Sequence, residues 1–352
     1  MSGPRLPARR ETEHAVSVGD ARALPLPDDS VDLVVTSPPY PMIEQWDEPF
    51  AELRPAIGEA LASGDGDEAF DRMHAVLADA WAELDRVLVD GGVACVNVGD
   101  ATRSLDGRFR LYPNHARIAE AFAALGFDQL PGVLWRKPTN SPTKFMGSGT
   151  LPPNAYVTLE HEHVLVFRRG GRREFPPHDA DRYGAAYFWE ERNRWFSDVW
   201  EDLRGVDQTL GEAAPRDRSG AFPFELPYRL VSMFSTYGDT VLDPFWGTGT
   251  TSLAAMAAAR NSVGVERNPG FAAAFEDALG GLSALAEERG RRRLREHREF
   301  LAGRDARPEY DAQHYDFRVV TKGERSLRLY GVTDVVGAPG GYRVHHRALD
   351  GS

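Results

Sequence analysis

A single cysteine, Cys95, in 352 residues excludes an internal disulfide framework and a zinc site built from thiolates. Lysine is almost as scarce, with Lys137, Lys144 and Lys322 the only examples, so arginine carries nearly all the positive charge. That bias fits a GC-rich genome and a salt-adapted, acid-rich surface equally well. No apolar run reaches membrane-spanning length, and Met1 to Arg10 lacks the hydrophobic core of a signal peptide; a soluble cytoplasmic protein without a membrane partner is expected. The formal charge of −12 argues against a protein that simply coats nucleic acid. It leaves a DNA enzyme open, because affinity depends on where arginines cluster. The length suits one large α/β domain with insertions, or two domains.

What the chain does contain begins with the β-branched run Val31 to Val35, which reads as a buried strand, followed by Thr36-Ser37-Pro38-Pro39-Tyr40. Two prolines can neither donate to a sheet ladder nor continue a helix, so the strand must stop there. Its carboxyl end then carries a hydroxyl, bare carbonyls and an aromatic ring, at the edge where open α/β sheets bind ligands. Such a corner suits methyl transfer to the exocyclic amine of a nucleobase. That nitrogen is a poor nucleophile until acceptors hold its N–H bonds; Ser37 Oγ and the Pro38 carbonyl are such acceptors, Pro39 brings no competing N–H, and Tyr40 offers a stacking face. Taken alone, the pentamer fits a rigid turn with a packed tyrosine just as well.

The rest of the chain supplies a frame. His14 to Val18 alternates as a strand ending in Gly19-Asp20, where Asp20 reads as a helix cap or a ligand contact. Residues 41–70 read as a surface excursion and lid. A helix is expected from Phe70 to Gly91-Gly92, then a strand at Val93 to Val98, a crossover that favours a parallel sheet. A further helix carries Ile118, Phe122 and Leu125, and a strand follows near Gly132 to Trp135. Between 138 and 220 periodicity weakens. His161 and His163 share one strand face without an evident third ligand and read as ordinary strand histidines. The cluster Arg168, Arg169, Arg172 and Arg173, with Tyr183, Tyr187, Trp189, Trp195 and Trp200 nearby, reads as a solvated turn or as a contact for nucleic acid; Lys144 joins it in the second reading.

Regular structure returns with a helix marked by Leu226, Leu230, Val231 and Phe234 and a short strand, Thr240 to Leu242. This runs into Asp243-Pro244-Phe245-Trp246-Gly247-Thr248-Gly249-Thr250-Thr251, a glycine loop that opens a helix and aims bare N–H groups at an anion. No lysine follows the glycines, so a phosphate loop of triphosphatases is a poor match. The next strand ends at Glu266, placed to accept both hydroxyls of a ribose. S-adenosylmethionine satisfies both features, and on these grounds a dinucleotide does too.

With Phe222-Pro223, Asn97-Val98-Gly99-Asp100, Glu162 to Phe167 and Ser197 to Trp200 in order between the two motifs, the chain resembles the β-group of DNA amino-methyltransferases, which act on N4 of cytosine or N6 of adenine. The resemblance covers about residues 14 to 270. It implies an α/β fold: a circularly permuted Rossmann-like methyltransferase sheet, catalytic half first (1–137), a target-recognition region (138–220) and a cofactor half (221–285). It implies S-adenosylmethionine as cofactor, lined by Thr36, Phe222, Asp243, Pro244, Phe245, Gly247, Thr248, Gly249 and Thr250, with Glu266 on its ribose and Asp20 near its adenine. Ser37, Pro38, Pro39 and Tyr40 would hold the target base. Duplex DNA is the implied partner, with a cognate restriction endonuclease beside a monomer or homodimer, and no metal is called for. Where members often carry a histidine before the Phe-Pro step, this chain has Arg218. Serine before Pro-Pro-Tyr favours cytosine N4, with adenine N6, an RNA base methyltransferase and a non-catalytic DNA-binding relative as alternatives. The resemblance ends near residue 285; beyond it the arginine-rich run Glu287 to Arg295 reads as a helix that is a solvated face or a DNA-backbone clamp, and residues 286–352 read as a small α+β appendage.

Overall fold

A computed structural model of the chain describes residues 6–137, 147–203, 222–306 and 308–351. The N-terminal part runs β1 (Arg9–Val18), β2 (Val31–Thr36), α1 (Asp47–Leu53), α2 (Pro55–Ala62), α3 (Gly66–Val87), β3 (Leu88–Val98), β4 (Ala101–Leu105), β5 (Arg108–Tyr112), α4 (Asn114–Ala124) and β6 (Asp128–Arg136). The middle contributes β7 (His161–Arg168), α5 (Ala180–Gly184), α6 (Trp189–Trp195) and β8 (Val199–Trp200). The last third runs α7 (Glu225–Phe234), β9 (Thr240–Asp243), α8 (Thr250–Ala257), β10 (Asn261–Glu266), α9 (Phe271–Leu279), α10 (Leu282–Ala302), β11 (Tyr310–Asp311), β12 (Arg318–Val319), β13 (Tyr330–Ala338) and β14 (Gly341–Ala348).

Ten strands form one sheet in the order β13-β14-β1-β10-β9-β2-β3-β7-β6-β8. The five adjacent strands β1, β10, β9, β2 and β3 are parallel, so their carboxyl ends share one edge. Period-two alternation sends Val34 to one face, in a core with Met73 and Trp81 of α3 and Phe122 of α4. Leu33 and Val35 go to the other, with Leu230 of α7 and Leu253 of α8. Both faces are therefore covered, as a parallel sheet requires. Each fully buried ring such as Trp81 contributes roughly 2–3 kcal/mol by leaving water.

Several expectations change. Helix α3 begins at Gly66, where Asp65 accepts from the Glu68 N–H at 3.1 Å, and it ends at Val87. Gly91-Gly92 lies inside β3, where the pairing to β2 shifts register; a Cβ on Gly91, at φ 78°, would strike the backbone of Arg173. Segment 41–70 contains α1 and α2, which bury Phe50 and Ile57 in the α3 core. Strand β7 sits between β3 and β6, so the region from 138 to 220 contributes an integral strand to the main sheet. The C-terminal hairpin is no appendage either: β14 pairs antiparallel with β1 from Arg9 to Ala15 and continues the same sheet.

Candidate active site

Thr36 closes β2 and Asp243 closes the neighbouring β9, and the two are bonded directly: Thr36 Oγ1 donates to Asp243 Oδ1 at 2.6 Å. Thr251 Oγ1 donates to the second carboxylate oxygen at 2.8 Å and the Phe245 N–H to Oδ1 at 3.1 Å. Burial outweighs these three donors and pushes the Asp243 carboxyl up to about 6. The proline corner and the glycine loop are thus two sides of one hydrogen-bonded unit.

The loop itself needs its glycines. Gly247 and Gly249 hold φ of 53° and 77°, the left-handed region, and a Cβ on Gly249 would enter the rings of Phe275 and Trp246. A Cβ on Gly247 would approach only the Phe245 carbonyl oxygen, at 3.9 Å, so that backbone faces open space. Glu266, at the end of β10, accepts the Gly247 N–H at 2.9 Å and the Asn268 N–H at 2.8 Å. Its carboxylate oxygens keep further lone pairs for hydroxyl donors. Pro244, Thr248 and Thr250 are buried. Asp20 lies on the next strand end and is gripped by Arg22, through Nε at 3.0 Å and Nη2 at 2.8 Å; that pair holds its carboxyl below the usual range. A carboxylate for hydroxyls beside a glycine-opened helix start fits a nucleoside ligand with a carboxylate of its own. Phe222 departs from expectation, because its ring is buried in the core with Leu226 and Trp200.

Across the edge, Ser37 and Tyr40 lie in an irregular segment stopped by Pro38 and Pro39. Tyr40 is held by its hydroxyl, 2.9 Å from Ser37 Oγ and 3.0 Å from Glu162 Oε2, to which it donates. Asn97, on β3, donates through Nδ2 to the Tyr40 oxygen at 3.0 Å and to Glu162 Oε2 at 2.6 Å. Lys137 Nζ donates to the other Glu162 oxygen at 2.5 Å. Burial and the Glu162 charge hold the Tyr40 phenol well above its ordinary value, so it stays protonated. The corner continues into Met42, at φ 67° with its side chain buried in the α3 core. Asn114 ties the turn down, donating to the Pro41 and Gly99 carbonyls at 3.1 and 3.0 Å.

The arginine cluster lies elsewhere. In the β3–β7 register Val98 faces His163 while Val93 faces Arg168, so Arg168 is some five residues, roughly 17 Å, from the active edge. Arg168 pairs with Asp128, Arg169 with Asp29 and Asp85, and Arg173 with Asp239 and Asp32, while Arg172 is exposed in the same turn. The arginines are a brace at the amino end of the strands, and the expected nucleic-acid contact has no geometric support there. Trp195 and Trp200 are core residues. In α10, Arg289 and Arg293 are buried against Glu225 and Glu191, so that face packs on the protein, while Arg292 and Arg295 of the same run are exposed. Lys144 and Arg218 lie outside the described residues.

The strand histidines do acquire neighbours. His163 comes within 3.9 Å of Asp100, and His115 Nδ1 lies 2.8 Å from the same carboxylate. The two imidazoles stack at 4.1 Å and 16°, so their in-plane lone pairs run side by side and do not converge on one point. In a second cluster, formed by Glu190, His297 and Glu324, both His297 ring nitrogens already have partners, Glu190 Oε1 at 2.9 Å and the Arg318 carbonyl at 3.2 Å. Sequence reasoning gave no role to Asn97, Asn114, Lys137 or Glu162; Asn97 and Glu162 entered only as members of the matches Asn97-Val98-Gly99-Asp100 and Glu162 to Phe167.

Comparison with known proteins decides the family. A model for the N6/N4 DNA methylases, described as DNA methylase, matches residues 31–277. The chain belongs to the N6/N4 DNA methylase family. It is 50% identical over 308 residues to the type II methyltransferase M.MthZI of Methanothermobacter thermautotrophicus, covering 87% of this chain and 86% of that protein. It is 49% identical to M.MjaI of Methanocaldococcus jannaschii, over 76% of this chain and 92% of that one. Among solved structures, the putative DNA modification methylase TTHA0409 of Thermus thermophilus, determined with S-adenosyl-L-methionine, shares 32% identity and a TM-score of 0.59 over 77% of this chain and 96% of its own. PvuII methyltransferase, at 18% identity and a TM-score of 0.53, shares the fold over 78% of this chain and 89% of its own. The cofactor of this methylase is therefore S-adenosylmethionine. Among the described residues no helix is long and apolar enough to cross a membrane.

Proposed function

We propose that the methylase transfers a methyl group to the exocyclic N4 amine of cytosine in duplex DNA, after the base has swung out of the helix. The observation that supports this most directly is the bond from Thr36 to Asp243, which couples the Ser37 corner to the cofactor loop. S-adenosylmethionine, when bound, supplies a methyl group on a sulfonium, a strong electrophile. Glu266 and Asp20 would hold its nucleoside end, and Asp243, Phe245, Gly247 and Gly249 its other end. Ser37 Oγ and the Pro38 carbonyl accept the two N–H bonds of the target amine, which turns its lone pair outward, and Tyr40 stacks on the ring. A short neutral acceptor at position 37 suits the N4 amine of a pyrimidine. Nucleoside mass analysis of duplex DNA after incubation with labelled cofactor tests the reading: N4-methylcytosine is expected, and N6-methyladenine would overturn the base assignment. Methylation of RNA in preference to duplex DNA would overturn the substrate.

A further inference from the structure

We propose that Glu162 is a positioning residue which, through Tyr40, fixes Ser37 Oγ as a hydrogen-bond acceptor and receives the proton that the target amine releases. The inference rests on the reading above, in which Ser37 faces that amine. It follows from counting hydrogens in one partly buried chain of contacts.

A carboxylate can only accept, and a phenol has one hydrogen to give. Glu162 Oε2 lies 3.0 Å from the Tyr40 oxygen, so the Tyr40 hydrogen goes to Glu162. Asn97 cannot take that hydrogen, because its Nδ2 donates to both the Tyr40 oxygen and Glu162 Oε2. The reversed amide would set its oxygen against the carboxylate. Ser37 Oγ, 2.9 Å from the Tyr40 oxygen, must then supply the hydrogen of that contact itself. With its only hydrogen turned toward Tyr40, the serine presents lone pairs to the pocket. Lys137 anchors the far oxygen of Glu162 at 2.5 Å and keeps the carboxylate aimed. The high value of the Tyr40 phenol, caused by burial and by the Glu162 charge, agrees with a permanent donor.

The same chain carries a proton outward. As the methyl group joins the amine nitrogen, one N–H bond breaks and the nitrogen keeps its electron pair. That proton passes to Ser37 Oγ, the serine hydrogen passes to the Tyr40 oxygen, and the tyrosine hydrogen passes to Glu162 Oε2. One proton has left nitrogen, one has arrived on the carboxylate, and each hydroxyl again holds one hydrogen. No further base is needed, and Lys137, at the half-exposed end of the chain, leads to solvent.

The test uses the full chain, labelled S-adenosylmethionine and duplex DNA that the unaltered protein methylates. Single-turnover rates and dissociation constants for cofactor and DNA are measured for Glu162→Gln, Tyr40→Phe and the double variant, with thermal melting as the check on folding. A glutamine that turns its oxygen to the Tyr40–Asn97 pair still accepts from both but sets its N–H₂ group against Lys137, and in neither orientation can it take up the released proton. Each single variant is expected to slow the single-turnover step on the order of a hundredfold while both dissociation constants stay unchanged. The double variant is expected to be no slower than Tyr40→Phe, because one break already interrupts the chain. A Glu162→Gln protein with the unaltered rate, or losses that multiply in the double variant, overturns the proposal. If Glu162→Gln does not fold, Tyr40→Phe decides, and full turnover there overturns it. Absence of transfer by the unaltered protein on any duplex would instead refute the functional reading on which this one stands.

Discussion

Replacing Thr36 by valine keeps the shape of a buried side chain and removes one hydrogen, the one given to Asp243 at 2.6 Å. A hydrogen bond to a charged group is worth about 1.5–3 kcal/mol, and about 1.36 kcal/mol corresponds to one pH unit of carboxyl affinity. The Asp243 carboxyl, already at about 6 in the native protein, should therefore rise to roughly 7 or 8 in Thr36→Val. The sign of the stability effect follows. Asp243 binds its proton more tightly in the folded than in the unfolded chain, where its value is near 4. Its contribution is thus fully present below about pH 4 and is lost as pH rises through the folded value. In the variant that loss continues to higher pH. Urea unfolding of both proteins should show nearly equal stability at pH 5 and a deficit of about 1.5–3 kcal/mol for Thr36→Val at pH 8.5. Equal deficits at the two pH values would mean that the valine acts by packing alone, and the coupling of the corner to the loop through an ionised Asp243 would be refuted.

Acid should destabilise the native protein by a separate route. His14 and His346 are driven down to about 3, mainly by burial, and His74 and His163 to about 4, so the unfolded chain binds more protons between pH 4 and 6.5. Stability present above pH 6.5 should fall by roughly 2 kcal/mol for each of His14, His346 and His74 on going to pH 5, and by less for the half-buried, solvent-screened His163, partly offset by Asp243; a flat urea profile over that range would contradict it. Asn114→Ala removes a fully buried amide that satisfies two carbonyls and lies 3.0 Å from His74 Nε2. The expected cost is roughly 3 kcal/mol by denaturant titration, with turnover lowered more than cofactor affinity because the Pro41 turn loosens. An unchanged rate constant would show that Asn114 does not hold the corner.

What the sequence disclosed depended on how local each feature is. Pro38 and Pro39 end a strand wherever they stand, and Gly247 and Gly249 permit a turn that other residues resist, so both sides of the active edge were legible. Glu266 and Asp243 were legible for the same reason, being the last residues of their strands. The supports of the corner were hidden because they arrive from afar: Glu162 lies 122 positions from Tyr40, and Asn114 lies 73 from Pro41. The arginine cluster was misplaced because its end of the sheet depends on the direction of β7, which runs antiparallel to β3. A parallel strand there would have carried Arg168 to the active edge. The hairpin of β13 and β14 read as separate because pairing with β1 joins residues more than 300 positions apart. Nothing in a strand's own residues names its partner. Gly91-Gly92 misled in the same way, since glycine pairs serve helix ends and strand bulges alike.

The most direct test of the central claim is the modified nucleoside itself. The purified chain is incubated with S-adenosylmethionine carrying a labelled methyl group and mixed-sequence duplex DNA, and the DNA is digested and analysed by mass. Label in N4-methylcytosine is the predicted result, with loss of label in Ser37→Ala and retained cofactor binding in that variant. Label in N6-methyladenine, or in no DNA nucleoside, would contradict it.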